Sequence, residues 1–323
     1  MIVDNPDPWF LRMPPNTFGI AFGLSGLALL WTAVHSLLAG VAPIMIATFL
    51  LAAAVWLLLT VAYLLKAVRR PRAVWADMTH TIQAPFLSLL PISGLVLGSV
   101  VHQWLPTMGF WWVTVSALVT LGYGGWLTGQ WIVAPLNEDD LHPGYFLPTV
   151  AGGLVGCSAL HVVGLTSAAY MAFGIGIICW LVIGSVLLYR LFLRPPLAAA
   201  LVPLLAIEVA PPAVAGNAWF ALHEGRGDPV QLGLAAYALF MSIVQLRLLP
   251  EYLRLRFMPS FWAFAFSYTS VAVYAGRWLV RQNPPGAAVM AWSLVLGVSA
   301  LVVWISARTV MDMRRGVYFP APR

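Results

Sequence analysis

PIMIATFLLAAAVWLLLTVAYLLK, residues 43–66, carries no charge before its last residue and no proline after its first. At 1.5 Å per residue a helix of this length runs roughly 36 Å, enough to cross a hydrocarbon core about 30 Å thick. Lipid offers the backbone no hydrogen-bonding partner, so such a run must satisfy its own N–H and C=O groups as a helix. Outward from it the chain divides into ten apolar segments: 17–39, 43–66, 84–104, 108–134, 145–165, 168–190, 197–221, 230–249, 257–280 and 286–311. The narrowest division, Thr166-Ser167, separates the fifth from the sixth. The expected fold is an all-α integral membrane protein with a cytoplasmic arm (1–16), a ten-helix transmembrane domain (17–311) and a cytoplasmic tail (312–323).

Composition points the same way. Of 323 residues, 61% are hydrophobic and 9% charged, against roughly 25% charged in an ordinary soluble domain. The net charge of +6 would suit a nucleic-acid binder only if its basic residues formed a patch. Here they sit at segment ends, where they anchor and orient spans, so nucleic acid is excluded as a partner and the lipid bilayer takes its place. Cys157 and Cys179 both lie in apolar stretches without metal-ligand spacing. The N-terminal residues, with Asp4, Asp7 and several prolines, do not read as a cleavable signal.

Lys and Arg counts set the orientation. The termini and the even-numbered connections hold fourteen: Arg12, Lys66, Arg69, Arg70, Arg72, Arg190, Arg194, Arg247, Arg254, Arg256, Arg308, Arg314, Arg315 and Arg323. The other side holds Arg226, Arg277 and Arg281. Both termini are expected in the cytoplasm, with the segments paired as five hairpins. The acidic connection Asn137-Glu138-Asp139-Asp140 falls on the cytoplasmic side.

Helix breakers are unevenly shared. Pro85 and Pro91 interrupt segment 3, Pro148 enters segment 5, and Pro203, Pro211 and Pro212 lie in segment 7. Segment 1 has Gly19, Gly23 and Gly26, and segment 9 begins near Pro259. Even segments have prolines, such as Pro43 and Pro284-Pro285, only at their starts. A proline frees a carbonyl and kinks the helix, which is tolerated where protein or a water-filled cavity receives the freed group. Odd segments are therefore expected to form an inner ring and even ones an outer ring, around a pore or around a closed, kinked core.

Several blocks carry a family likeness. They are Thr17-Phe18-Gly19-Ile20 with Gly23-Leu24; Leu90-Pro91-Ile92-Ser93; and His142-Pro143 followed by Leu147-Pro148-Thr149-Val150-Ala151. Ala210-Pro211, then Arg247 with Leu249-Pro250, and Ser260-Phe261-Trp262-Ala263-Phe264-Ala265-Phe266 complete the series. In this order and spacing the chain resembles the tellurite-resistance/dicarboxylate transporter family, the TehA-like proteins that include fungal malate permeases and plant guard-cell slow anion channels. The resemblance implies a homotrimer in the cell inner (plasma) membrane, with a pore through each subunit lined by the odd helices. Gly19, Gly23, Pro91, Pro148, Pro211 and Phe264 are then pore-lining candidates. It also implies a phenylalanine plugging the pore near mid-membrane, and Phe266 holds the matching position. Phe266 lies about nine residues into segment 9, roughly 14 Å deep, where a ring can close a narrow pore. Ordinary aromatic packing is the competing reading of Phe261, Phe264 and Phe266.

Glu208 is the one acid deep within a segment. An ionisable group there costs at least about 2.5 kcal/mol unless a partner or cavity receives it. It reads either as a carboxyl neutralised by burial or as a proton-coupling site. Arg247, Arg277 and Arg281, at segment ends, read either as attracting anions to the pore mouths or, the favoured reading, as snorkelling to headgroups. His35, His102 and His161 are solitary, and His223-Glu224 lacks the second histidine of a zinc-protease helix. No paired nucleophile and base and no cluster of metal ligands stands at membrane depth, so no enzyme, metal or cofactor is expected. The leading function is an anion channel or transporter passing small inorganic or organic anions. Alternatives are a proton-coupled C4-dicarboxylate (malate) carrier, a tellurite or toxic-compound exporter, and a non-conducting structural subunit. With an arm and tail this short, no large regulatory domain like those of the plant relatives is expected.

Overall fold

The computed structural model describes residues 8–134, 136–223 and 228–319; Asp4, Asp7, Glu224, Arg226 and Arg323 lie outside the described residues. Among the described residues every regular element is helical. Two short 3-10 turns, Trp9–Arg12 and Pro15–Thr17, lead into α1 (Phe18–Val34). There follow α2 (Ala42–Arg69), α3 (Pro71–Thr79), α4 (Ala84–Leu87), α5 (Leu89–His102) and α6 (Pro106–Val133). Next come α7 (Gly152–Val162), α8 (Thr166–Leu193), α9 (Ala210–Leu222), α10 (Pro229–Leu253), α11 (Trp262–Gln282) and α12 (Ala287–Arg314).

Eight helical stretches are long and apolar enough to cross a membrane. Segments 4 and 9 correspond to α6 and α11, 28 and 21 residues long, which are not among the eight. The cause is local composition: α11 carries Ser267, Thr269, Ser270, Arg277 and Arg281, and α6 is diluted with Gly, Ser and Thr.

Burial divides the eight into two classes. Of the most apolar 18 residues in Pro15–Leu37, Ala84–His102, Pro143–Val162 and Val202–Leu222, 78%, 89%, 72% and 78% are buried. The corresponding share is 17% in each of Ala42–Arg69, Thr166–Leu193 and Pro229–Leu253, and 22% in Ala287–Arg314. The second class exposes large side chains such as Leu50, Leu57, Leu181, Phe240 and Val303, an apolar surface suited to acyl chains. α11 is densely buried from Trp262 to Val273 and joins the first class.

The breakers act where the sequence has them. Ser88 separates α4 from α5 in the Pro85–Pro91 stretch. Residues Leu147–Ala151, containing Pro148, form a π-helical turn before α7, and Val202–Val209 is wound as a 3-10 helix ahead of Pro211-Pro212. By contrast α2, α6, α8 and α12 are each a continuous helix of 28 residues. One exception is Pro250, which lies inside α10. The expected end at 249 is too early: the helix carries on for one turn past Pro250, to Leu253, with the one hydrogen bond from residue 250 missing.

Three other boundaries shift. Helix in segment 7 begins at Val202, not 197. The turn between segments 5 and 6 falls before Thr166, with Gly164 at φ +85°, a conformation glycine adopts without penalty. Residues 71–79, read as connection, form α3. Its Asp77 receives Lys66 Nζ at 2.6 Å and the Tyr63 hydroxyl at 2.9 Å, while Lys66 also donates to Met13 O at 2.8 Å.

The central contact is α1 against α11. A Cβ added to Gly19 would stand 3.2 Å from Trp262 Cβ, and one on Gly23 would stand 2.8 Å from both Ala265 Cβ and the Trp262 ring. Gly26 meets Thr269 in the same way. This is small-residue packing, which lets two helix backbones approach closely where lipid gives no hydrophobic drive.

Candidate functional site: a cavity enclosed by five buried spans

A cavity of about 290 Å³ lies among the buried spans. Each contributes the later part of its helix: Phe22 to Ala33 of α1, Val96 to Gln103 around α5, Val155 to Val162 of α7, Val214 to Ala221 of α9, and Phe266 to Arg277 of α11. A second, much smaller space of about 20 Å³, room for about one water, is lined by four of these spans, α4–α5 taking no part, with Phe146, Leu147, Val150, Ile207 and Pro211 among its walls. Phe22, Val155, Val214, Phe266 and Ser270 line both. They form a collar between the two spaces, apolar except for Ser270, whose hydroxyl donates to Phe266 O. Phe22 and Phe266 have ring centroids 5.2 Å apart, and Phe266 is 3% exposed, so the collar leaves its ring almost no open surface.

The residues singled out from sequence distribute unevenly over this geometry. Phe266 and Pro211 line the cavities. Gly19 and Gly23 face Trp262 and Ala265. Phe264 packs edge-on against Tyr252 and Phe261. Pro91 is buried within α5. Pro148 lies on the other side of its span, where its carbonyl nears Gly124 of α6 in a groove of about 570 Å³ between α6 and α8. Glu208 sits in the 3-10 stretch, lines neither space, and its buried Oε1 has no hydrogen-bond partner among the described residues.

Arg277 reverses an expectation. It lines the larger cavity, and its Nη1 donates to Asn217 O at 2.8 Å, so it turns inward to α9. Phe22 and Ser270 were not singled out from the sequence, and Arg277 was given a headgroup-facing role as its favoured one. The signal was present: Ser270, Val273 and Arg277 follow Phe266 at intervals of four, three and four, one face of a helix.

Outside the spans, charges are tied across connections. Arg194 Nε meets Asp139 Oδ1 at 2.9 Å, and Arg190 Nη2 donates to Asp139 O at 3.0 Å. The hydrogen bond from Arg194 holds the Asp139 carboxyl below the usual carboxylate range. Asp228 caps α10, and the Gln231 N–H and Trp219 Nε1–H that it accepts lower its pKa likewise. His223 stacks on Trp219 with centroids 3.9 Å apart; Glu224 is outside the described residues.

A family model described as voltage-dependent anion channel, SLAC1, matches residues 12–310. That range includes every element lining the two spaces. The chain belongs to the SLAC1 family. Among its relatives, the tellurite resistance protein TehA homolog of Haemophilus influenzae is 24% identical over 314 residues, covering 95% of this chain and 93% of the relative. The S-type anion channel SLAH3 of Arabidopsis thaliana is 29% identical over 292 residues, covering 85% of this chain and 44% of that one. The guard cell S-type anion channel SLAC1 of the same plant is 25% identical, covering 93% and 56%. This chain thus spans about half the length of the plant relatives. The likeness drawn from the sequence blocks is upheld, and family and helices together make this a multi-pass membrane protein.

Proposed function

We propose that the protein is an anion channel whose conduction path runs through the five-span cavity and is closed at the collar by Phe266. In this reading α6 and α11 also cross the bilayer, giving ten spans as five hairpins. The inner ring consists of α1, α4–α5, the Pro143–Val162 span, the Val202–Leu222 span and α11; α2, α6, α8, α10 and α12 form the outer ring. Both termini face the cytoplasm of a cell whose inner (plasma) membrane holds the protein as a homotrimer.

The observation that carries the reading is that all five inner spans line one cavity and Phe266 stands where it meets the smaller space. An apolar ring in such a collar closes a path sterically and by dewetting. Small inorganic anions are the proposed cargo. The unpartnered carboxyl of Glu208 favours a second reading, a proton-coupled carrier of malate-like dicarboxylates, and the tellurite-resistance relative favours export of a toxic oxyanion.

Purified protein in liposomes, assayed for chloride, nitrate and malate flux, tests this. Phe266→Ala should pass anions at least about tenfold faster than wild type. Equal and negligible flux through both folded proteins sinks the gate. Malate flux that requires a proton gradient and is lost in Glu208→Gln supports the carrier instead.

A further inference from the structure

Arg277 is the one residue with a formal charge among those lining the larger cavity. It stands eleven residues after Phe266 on the same face of α11, roughly 16 Å along the helix axis, at the end of the cavity remote from the collar. Among the described residues no carboxylate pairs with it. Its bond to Asn217 O is its one hydrogen bond there. A guanidinium has five N–H donors, so the rest of this group is left for something else.

The other polar residues sharpen the case. The hydroxyls of Thr32, Ser99 and Ser270 each donate to a carbonyl of their own helix, Ala28 O, Val96 O and Phe266 O, at 2.9, 2.7 and 2.8 Å. Their protons are spent, and what they turn outward are lone pairs, which repel an anion. Donors for a negative ligand therefore concentrate at Arg277; the remaining polar lining residues are the neutral Ser158, Gln103 and Asn217, the last donating its Nδ2 to Ser270 O at 3.3 Å. The remaining wall is largely Val, Ala, Leu and Phe.

We infer that Arg277 forms an anion-binding site at this end of the cavity, matched to a small singly charged anion. Its backbone tie to α9 fixes the side chain, so little freedom is lost when an anion arrives. One guanidinium neutralises one charge. A dianion would bring its second charge against apolar wall with no counter-charge, and burying an unpaired charge is expensive. The unused N–H edge of a planar guanidinium suits a planar oxyanion. The site rests on the pore reading for its role, which is to hold an anion before the collar.

Two readouts separate the site from the gate. The first is the thermal midpoint of purified protein titrated with sodium nitrate at constant ionic strength, with gluconate as the balancing anion. Wild type and Phe266→Ala should be stabilised saturably. Arg277→Gln should need about ten- to a hundredfold more nitrate, Arg277→Lys, which keeps the charge but not the planar fork, should fall between the two, and malate should stabilise wild type far less than nitrate. The second is nitrate flux in the Phe266→Ala background, where Arg277→Gln should abolish saturation at low nitrate.

Should Arg277→Gln fail to fold, Ala221→Asp places a carboxylate on the cavity wall one turn beyond Asn217. It should abolish nitrate binding where Ala221→Asn does not. Flux through Phe266→Ala with nitrate responses unchanged in the Arg277 or Ala221 variants overturns the site and leaves the pore standing. Arg277-dependent stabilisation without flux in any variant keeps the site and removes the gate. Malate stabilising as strongly as nitrate overturns the single-charge match.

Discussion

Gly23 and His142 show how single atoms hold this structure. A methyl on Gly23 would lie 2.8 Å from Ala265 Cβ and the Trp262 ring. Neither is a flexible tip, so α1 must move away from α11. Gly23→Ala should therefore destabilise by about 1–3 kcal/mol, despite the better helix propensity of alanine, and the thermal midpoint in detergent reads it. An unchanged midpoint would mean the helices part without loss. His142 is a buried residue in the connection before α7, and Phe86 stacks on it with centroids 5.8 Å apart. Its Nδ1 accepts from Gly144 N at 3.1 Å, so the proton sits on Nε2, which donates to Ile82 O at 3.2 Å. Burial pushes its pKa down to about 4 from the ordinary 6.5. Between these values the unfolded chain binds a proton that the folded one refuses, so stability is full above pH 6.5 and falls as pH drops towards 4. The loss levels off below 4 at about 3 kcal/mol for this group. Unfolding midpoints at pH 7.5 and 5 should differ less in His142→Gln, which keeps an acceptor and a donor but cannot titrate. An identical pH slope in both proteins would exclude His142 as its source.

At the scale of elements, the prolines were informative because their effect is local. A missing N–H removes one rung of the ladder, and the irregular stretches at Ser88 between Pro85 and Pro91, at Pro148 and at Pro203 follow, while α10 carries Pro250 without ending. What segments 4 and 9 do was harder to read by hydropathy alone, since α11 trades apolar residues for a polar cavity face. Arg277 was misread for a related reason: five residues from a helix end, an arginine that snorkels and one that turns inward look alike in sequence. Helix α3 was invisible because it has no apolar run and depends on a partner. Asp77 in α3 joins Lys66 in α2 at 2.6 Å, with side chains 20% and 6% exposed. Removing one charge strands the other in a buried setting, so Asp77→Asn should cost about 3 kcal/mol and loosen α3 from α2. Replacing both, as Lys66→Met with Asp77→Leu, should recover part of that loss. A double variant no better than the single one would show that the pair contributes more than its charge.

For the whole molecule, hydrogen bonds between connections decide which ends belong together. Arg12 donates to Phe319 O at 3.0 Å and Lys66 to Met13 O at 2.8 Å, which joins arm, tail and the connection after α2. Tyr145 donates to Thr81 O at 2.9 Å, bringing the connection before α7 to the same end. Arg194 reaches Asp139 from the connection after α8, and Ser260 donates to Ala200 O at 2.8 Å from the connection after α10. All the even connections and both described chain ends thus gather on one face, and that face carries the excess of Lys and Arg. Positive residues are retained on the cytoplasmic side during insertion, so this face is expected to be internal. Gln282→Cys, at the exposed end of α11, should react with a membrane-impermeant maleimide on intact cells. Val317→Cys, 61% exposed at the opposite face in wild type, should react only after permeabilisation. Native Cys157 is buried and wild type supplies the background. The reverse pattern would invert the protein in its membrane and put the Arg277 end of the cavity, rather than the collar's smaller space, towards the cytoplasm.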